Sequence, residues 1–205
     1  MTDCIVILGA AGAGKDTAAE AIQARLATPA SPIRNLKFAA PLKDMCAQLF
    51  GWDRVRLDTD LEYKETAAFY PDGSPCMEIA GEVQTRRQML QALGTDIFRN
   101  QVNDSIWLQA AMQEAAASEG TGYFVATDCR FHNELEFIKN NFDNVLVIRV
   151  EREGDGGTAA SAHVSERQAQ EIEVDLTISA PAGDVEGLQD NVVQAVQHWI
   201  EVTAA

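Results

Sequence analysis

Five short apolar runs recur along the chain and predict buried strands. They cover residues 4–8, 33–38, 123–127, 145–150 and 176–179. Most of these runs are continuous rather than alternating, which is typical of strands that are covered on both faces in a parallel sheet. Stretches with helical spacing separate the runs. The pattern therefore predicts an α/β fold with a doubly wound parallel sheet flanked by helices.

Apolar residues recur at intervals of three and four positions in further stretches, which predicts amphipathic helices there. These stretches span about 18–26, 41–50, 86–99, 106–118, 133–138 and 188–200. Pro41 suits the first turn of its helix, Gly51 suits the end of that helix, and Thr85 suits a helix cap. Residues 52–85 have weak periodicity and several turn signals, so we predict an irregular, mobile insert with one short helix.

A glycine-rich turn that ends in lysine lies between the first apolar run and the first helix. It matches the phosphate-binding pattern G-x-x-x-x-G-K over residues 9–15, in the strand–loop–helix context that the pattern requires. The glycines allow positive φ angles and inward-facing N–H groups, and the following helix directs its positive end at an anion. This P-loop predicts ATP binding by Gly12, Ala13, Gly14, Lys15, Asp16 and Thr17, with Lys15 on the β- and γ-phosphates.

The residue after the P-loop lysine departs from the common motif, which has Ser or Thr there as a magnesium ligand. Asp16 occupies this position and Thr17 follows it. The ending Gly-Lys-x-Thr resembles that of the nucleoside monophosphate kinases, where metal contact is largely through water. This resemblance implies that Thr17 contacts phosphate and that Asp16 and Thr17 meet Mg²⁺ through water. Asp16 can equally be a simple acidic residue at a helix N-terminus.

Two further sets of polar residues are candidates for binding phosphate. Asp128 and Arg130 follow the third apolar run, where the carboxyl ends of strands carry the site in open α/β sheets. Asp128 would orient a magnesium-bound water and Arg130 would hold a phosphate; the alternative is a structural ion pair. Arg87, Gln91 and Gly94 share one helix stripe that would take a phosphate or a base, or would form a solvated polar face.

Composition restricts the possible functions of this 205-residue chain, whose length suits one domain with a full core. The formal net charge of −15 disfavours binding to nucleic acid and to anionic membranes. No apolar run is long enough to span a membrane, and no secretory signal is evident. The four cysteines are scattered, so we expect reduced thiols, no structural zinc and a cytoplasmic location.

Motifs over most of the chain resemble the deoxynucleoside monophosphate kinase family, best known from tailed bacteriophages. They are Gly14-Lys-Asp-Thr17, Phe38-Ala-Ala-Pro-Leu-Lys43, Arg87 through Gln91 to Gly94-Thr95, Asp128-Cys-Arg-Phe131 with Glu134, and His163-Val-Ser-Glu166. The resemblance implies a P-loop NTPase fold with its core at 1–38, 121–150 and 176–205. It also implies a substrate-binding insert at about 39–120 and a lid at about 151–175.

The resemblance also implies transfer of the ATP γ-phosphoryl group to a 2′-deoxynucleoside 5′-monophosphate, with Mg²⁺. By that likeness Lys43, Arg87 and Arg130 would clamp the acceptor phosphate, and Gln91 would lie near the sugar or base. Arg152 and a segment with His163 and Glu166 would close from the lid. A homodimer is common among relatives, and a phage enzyme would work in the host cytoplasm.

Three other functions stay open from the sequence. The first is a P-loop kinase of another small acceptor, such as dephospho-coenzyme A or a phosphorylated alcohol. The second is a nucleotide-binding switch without an acceptor. The third is a kinase that acts on nucleic acid, which the acidity disfavours.

Overall fold

The computed structural model describes residues 2–10, 12–117, 122–153 and 170–203. The strands are β1 (Thr2–Leu8), β2 (Ile33–Leu36), β3 (Glu78–Ile79), β4 (Glu82–Val83), β5 (Gly122–Ala126), β6 (Val145–Glu153) and β7 (Leu176–Pro181). The helices are α1 (Lys15–Leu26), α2 (Ala40–Phe50), α3 (Arg56–Thr59), α4 (Leu61–Glu65), α5 (Arg86–Gln91), α6 (Ile106–Ala117), α7 (His132–Asn141) and α8 (Val185–Thr203). A π-helical segment, Ala92–Val102, directly follows α5.

The chain divides into two compact units. The first unit contains the described residues up to Lys37 and from Ala115 onward, and the second is Phe38–Glu114.

A five-stranded parallel sheet in the order β2-β5-β1-β6-β7 forms the centre of the first unit. This confirms the predicted doubly wound α/β fold of the P-loop type. Every strand pair is parallel, so all the carboxyl ends meet at one edge. The register pairs Val6 with Ala126 and Leu36 with Ala126, and it sets the ends of β1, β2 and β5 side by side.

Helices cover the two faces of this sheet. Ile5 and Ile7 of β1 point to a core that contains Ile22 of α1 together with Val192 and Val196 of α8. On the opposite face Phe124 of β5 makes an edge contact with Phe142, which follows α7. Residues of β1 are buried on both faces, which explains why its sequence is continuously apolar.

Strand β6 is longer than the apolar run that predicted it. It continues to Glu153 because its last residues pair with β7, with Arg152 opposite Ala180 and Glu153 opposite Pro181. The expected lid at 151–175 therefore begins with strand residues. Most of that stretch, 154–169, lies outside the described residues.

The second unit contains more regular structure than the sequence pattern predicted. Residues 52–85 hold two short helices, α3 and α4, and the two-stranded antiparallel pair of β3 and β4, rather than one short helix. These elements were missed because each is too short to develop a periodic pattern. The core of this unit includes Leu42, Trp52, Leu57 and Met89.

The predicted helix at 86–99 is present, but its second half has π-helical winding. The predicted cap, Thr85, is confirmed, and it forms a capping box with Gln88. Thr85 Oγ1 accepts a hydrogen bond from the backbone N–H of Gln88, and Gln88 Oε1 accepts one from the backbone N–H of Thr85.

All four cysteines are free, as the scattered spacing predicted. Of the helices in the described ranges, none has the length and apolar character that crossing a membrane requires.

Candidate active site

The P-loop connects β1 to α1 in the predicted strand–loop–helix arrangement. Gly14 precedes the first turn of α1 with a φ of 100°, which a residue with a side chain adopts only with strain. A Cβ atom at this position would also lie 2.7 Å from Cδ2 of Leu188. Both observations explain the glycine directly before Lys15.

Gly9 begins the P-loop in close contact with strand β6. Its φ is 154°, and a Cβ atom there would lie 2.5 Å from the backbone oxygen of Val150. Real Cβ atoms essentially never come that close to another heavy atom, so only glycine lets the loop lie against β6 here.

Lys15 folds back over its own loop. Its Nζ donates hydrogen bonds to the backbone oxygens of Gly9 at 2.9 Å and of Ala10 at 2.7 Å. The ammonium group therefore lies over the concave side of a glycine-rich loop at the N-terminus of a helix. Such loops bind phosphate through backbone N–H groups and the helix dipole.

Asp16, Lys37 and Thr127 form a hydrogen-bonded triangle, which we call the Asp16 cluster. Lys37 Nζ donates to Asp16 Oδ1 at 2.9 Å and to Thr127 Oγ1 at 2.5 Å. Thr127 Oγ1 in turn donates to Asp16 Oδ1 at 2.8 Å. Burial alone would raise the pKa of Asp16, but these hydrogen bonds and the charges of Lys37 and Lys15 outweigh it and lower the pKa.

No motif in the sequence marks Lys37, which directly follows β2. The register brings it to the site because Leu36 of β2 pairs with Ala126 of β5, so the next residues on both strands, Lys37 and Thr127, are neighbours. The order of the strands in the sheet is needed to find this contact.

A cleft of about 130 Å³ opens beside the P-loop within the first unit. Its lining includes four predicted site residues, Gly12, Ala13, Gly14 and Thr17, together with Arg152. Nucleotide-sized ligands occupy pockets of roughly 300–1,000 Å³, so this cleft would enclose only part of such a ligand.

Arg152 lies at the P-loop although it was predicted only from the resemblance. It stands near the end of β6, and its guanidinium donates a hydrogen bond to the backbone oxygen of Gly12. The turn between β7 and α8, including Gly183 and Asp184, also lines the cleft and was missed by the sequence analysis.

The predicted pair Asp128 and Arg130 follows β5. Asp128 is half-buried, and the Arg130 side chain is exposed, without an ion pair to any described residue. The backbone N–H groups of Arg130 and Phe131 both donate to Glu134 Oε2, at 2.6 and 3.1 Å. Glu134 is only 4% exposed, so this carboxylate fixes the turn that carries Arg130.

The predicted acceptor-binding cations of the second unit are both ion-paired there. Lys43 Nζ lies 2.5 Å from Asp58 Oδ1, and Arg87 pairs with Glu65. Burial would raise the pKa of Asp58, but hydrogen bonds from Lys43 and Arg54 outweigh it and lower the pKa.

Lys64, a third cation of the second unit, was not predicted. Its pKa is lowered first by burial and then by the charges of Lys43 and Arg87, although the charges of Asp58 and Glu65 oppose the shift. Positive charges near one another favour the approach of an anion.

In the stripe of Arg87, Gln91 and Gly94, the structure corrects only the role of Gly94. Gln91 is exposed at the end of α5, but Gly94 is buried, and a Cβ there would lie 2.6 Å from Cδ2 of Leu42. Gly94 therefore makes room for α2 and not for a ligand. Trp107, considered for stacking on a base, donates from Nε1 to the Gly94 oxygen at 2.9 Å and is a core residue.

His163 and Glu166, which the resemblance assigns to substrate binding from the lid, lie outside the described residues.

The model of a deoxynucleotide monophosphate kinase family matches residues 74–192, more than half of the chain. The chain belongs to the deoxynucleotide monophosphate kinase family. Membership shows that this kinase is an ATP-dependent phosphotransferase that acts on a nucleotide or another small molecule. No curated protein matches the sequence significantly.

Two solved structures are similar to the kinase over nearly its whole length. One is a sugar kinase from a Janibacter species, with a TM-score of 0.43 and 12% identity, covering 98% of this chain and 95% of that chain. The other is an APS kinase from Mycobacterium tuberculosis, with a TM-score of 0.42 and 10% identity, covering 96% of this chain and 97% of that chain.

Proposed function

We propose that this kinase transfers the γ-phosphoryl group of ATP to a 2′-deoxynucleoside 5′-monophosphate. An oxygen of the acceptor phosphate forms a bond to the γ-phosphorus, and the bond from that phosphorus to the β-phosphate oxygen breaks, giving ADP and a deoxynucleoside diphosphate. The observation that carries the proposal is a P-loop with Lys15 held over its backbone, in a chain whose residues 74–192 match the deoxynucleotide monophosphate kinase family.

On the donor side, the loop N–H groups and the N-terminus of α1 would bind the ATP phosphates. Lys15 exchanges its two carbonyl contacts for phosphate oxygens, which costs little because it keeps its position over the loop. Arg152 already lies at the loop through Gly12, so its charge is available to the same phosphates.

On the acceptor side, Arg130 would bind the incoming phosphate. Its exposed guanidinium and the carboxylate-fixed turn beneath it suit a bidentate phosphate contact. Lys43 and Arg87 would add charge from the second unit, and Gln91 would contact the sugar or base. His163 and Glu166 would close over the substrates. The acceptor phosphate is already anionic, so the reaction needs positioning and charge neutralisation rather than a general base.

The oxygen donors near the P-loop fit a magnesium ion. Among the described residues no group of three or more His, Cys, Asp or Glu side chains forms a metal site. Mg²⁺ needs no such cage, because it binds through one or two carboxylates, waters and substrate phosphates. Asp16, Thr17 and Asp128 would hold its waters, and the bound ion would neutralise charge on the transferring phosphoryl group.

The proposed role is the supply of DNA precursors, in the host cytoplasm if a phage encodes the kinase, and a homodimer is the proposed assembly. The competing function is that of a P-loop kinase of another small acceptor, such as dephospho-coenzyme A or a phosphorylated alcohol.

A coupled ADP-release assay tests the proposal. ATP and Mg²⁺ are supplied with each common deoxynucleoside monophosphate, each ribonucleoside monophosphate, dephospho-coenzyme A and a phosphorylated alcohol. We expect ADP release that depends on a deoxynucleoside monophosphate and is lost in Lys15→Met. ADP release with only one of the other acceptors would refute the deoxynucleoside monophosphate as substrate and would assign that acceptor instead. Slow hydrolysis that ignores every acceptor would favour a nucleotide-binding switch.

A further inference from the structure

Lys37 contacts Asp16, a residue proposed to hold a magnesium-bound water. Its ammonium bridges an acidic residue in the first turn of α1 and a hydroxyl at the carboxyl end of β5. Asp16 is a predicted contact of the magnesium shell, and Thr127 immediately precedes Asp128, which is another. The ammonium thus contacts an oxygen of that predicted shell.

The geometry leaves little room for two cations at Asp16 Oδ1. That atom already accepts hydrogen bonds from Lys37 Nζ at 2.9 Å and from Thr127 Oγ1 at 2.8 Å. A divalent ion or its water at the same oxygen would face a full positive charge a few ångströms away, and like charges at that distance repel strongly.

We propose that Lys37 is the resident counter-ion of the magnesium site and that it must leave Asp16 when the metal binds with nucleotide. This inference rests on the proposed nucleotide-dependent function of the same site. Lys37 thereby sets the affinity for the metal. While the site lacks a metal, Lys37 balances the charge of the Asp16 carboxylate and links it to Thr127. A higher metal concentration is therefore needed before the metal occupies the site.

The chain is able to accommodate the departure of Lys37. The Lys37 side chain is 35% exposed and that of Asp16 is 74% exposed, so solvent reaches the ion pair. A pair exposed to this degree is weak, and a divalent ion also gains the nucleotide phosphates as ligands.

Mn²⁺ binding measures this competition without any turnover. The free Mn²⁺ signal in electron paramagnetic resonance is titrated at neutral pH and constant salt, with ADP present, for the wild type and for Lys37→Met. Removing the competing ammonium should tighten Mn²⁺ binding by about twofold to fivefold, the upper part of the range that a partly exposed ion pair supplies. Lys37→Gln, a second neutral variant, should behave in the same way if Lys37→Met does not fold.

Two controls separate charge from packing. Lys37→Arg retains the positive charge and should bind Mn²⁺ within about twofold of the wild type. Lys139→Met removes an exposed lysine from the last turn of α7 and should leave the affinity unchanged. Thermal unfolding identifies any variant that is not folded.

The outcomes are distinguishable. Neutral variants that bind Mn²⁺ no more tightly than the wild type overturn the role of Lys37 while leaving the proposed function intact. Weaker ADP binding by Lys37→Met in EDTA, with unchanged Mn²⁺ affinity, also overturns it and assigns Lys37 to the phosphates. A wild type that does not bind Mn²⁺ with ADP at all refutes the proposed function and this inference together.

Discussion

Replacing Glu134 by alanine should loosen the turn that presents Arg130 to the acceptor phosphate. Glu134 lies in the first turn of α7, and its Oε2 accepts the backbone N–H groups of Arg130 and Phe131. The side chain is 4% exposed, so alanine would leave two partly buried donors without this carboxylate and would open a small cavity.

The expected loss of unfolding free energy follows from those two bonds. A hydrogen bond to a charged group contributes about 1.5–3 kcal/mol, so losing both would cost about 3 kcal/mol at the lower end of that range. Loss of a negative charge at a helix N-terminus adds about 0.5 kcal/mol. Glu134→Gln retains the volume and one acceptor oxygen, so it should cost about 1 kcal/mol.

Urea unfolding followed by circular dichroism measures the loss, with Glu136→Ala as the matched control. Glu136 lies on the same helix and is exposed, so its replacement should cost less than about 0.5 kcal/mol. In the coupled assay, Glu134→Ala should raise the KM for the deoxynucleoside monophosphate more than the KM for ATP, because Arg130 is proposed to contact the acceptor.

Two results would refute this reasoning. One is a loss below about 1 kcal/mol for Glu134→Ala, or a loss equal to that of Glu136→Ala, since the two backbone hydrogen bonds would then contribute nothing particular. The other is an equal rise in both KM values, which would separate the turn from acceptor binding.

Three further predictions concern charge and exposure. Lys15→Met should lower turnover by orders of magnitude, and near wild-type turnover would contradict the proposed chemistry. The circular dichroism spectrum should be unchanged, because the hydrogen bonds from Lys15 to Gly9 and Ala10 lie within the loop. Asp58→Asn should reduce the loss of stability on acidification, measured by urea unfolding at a series of pH values. Burial alone would raise the pKa of Asp58, but hydrogen bonding to two cations lowers the pKa of the folded state below 3.8. The ionised Asp58 therefore stabilises the fold above pH 3.8, and this stabilisation is lost as the pH falls through the folded pKa. At neutral pH a thiol reagent should modify Cys76 first, as measured by mass spectrometry. The other three cysteines are buried, and burial raises the pKa of Cys46 to about 11. Faster modification of another cysteine would contradict this packing.

Local signals were sufficient for the class of fold and for the phosphate loop. The apolar runs that form β1, β5, β6 and β7 are long enough to be recognised. A buried parallel strand requires such a run, so the pattern indicates the strand directly. The P-loop was equally clear because its glycines, its lysine and the following helix are adjacent in sequence. These features depend on neighbours along the chain.

Contacts between distant parts of the chain could not be predicted in this way. Lys37 meets Thr127 only because β2 pairs with β5, and the sequence pattern does not state the order of the strands. Gly94 was interpreted as space for a ligand because its neighbour Leu42 lies on another helix.

The sequence by itself therefore determined that a P-loop lies between the first strand and the first helix of a parallel α/β sheet. Tertiary structure alone decided which charges meet: Asp16 with Lys37, and Lys43 with Asp58. The physical reason is the separation along the chain of the residues that interact. Backbone conformation follows from residues a few positions apart, whereas the pairing of a charged side chain depends on how strands and helices pack.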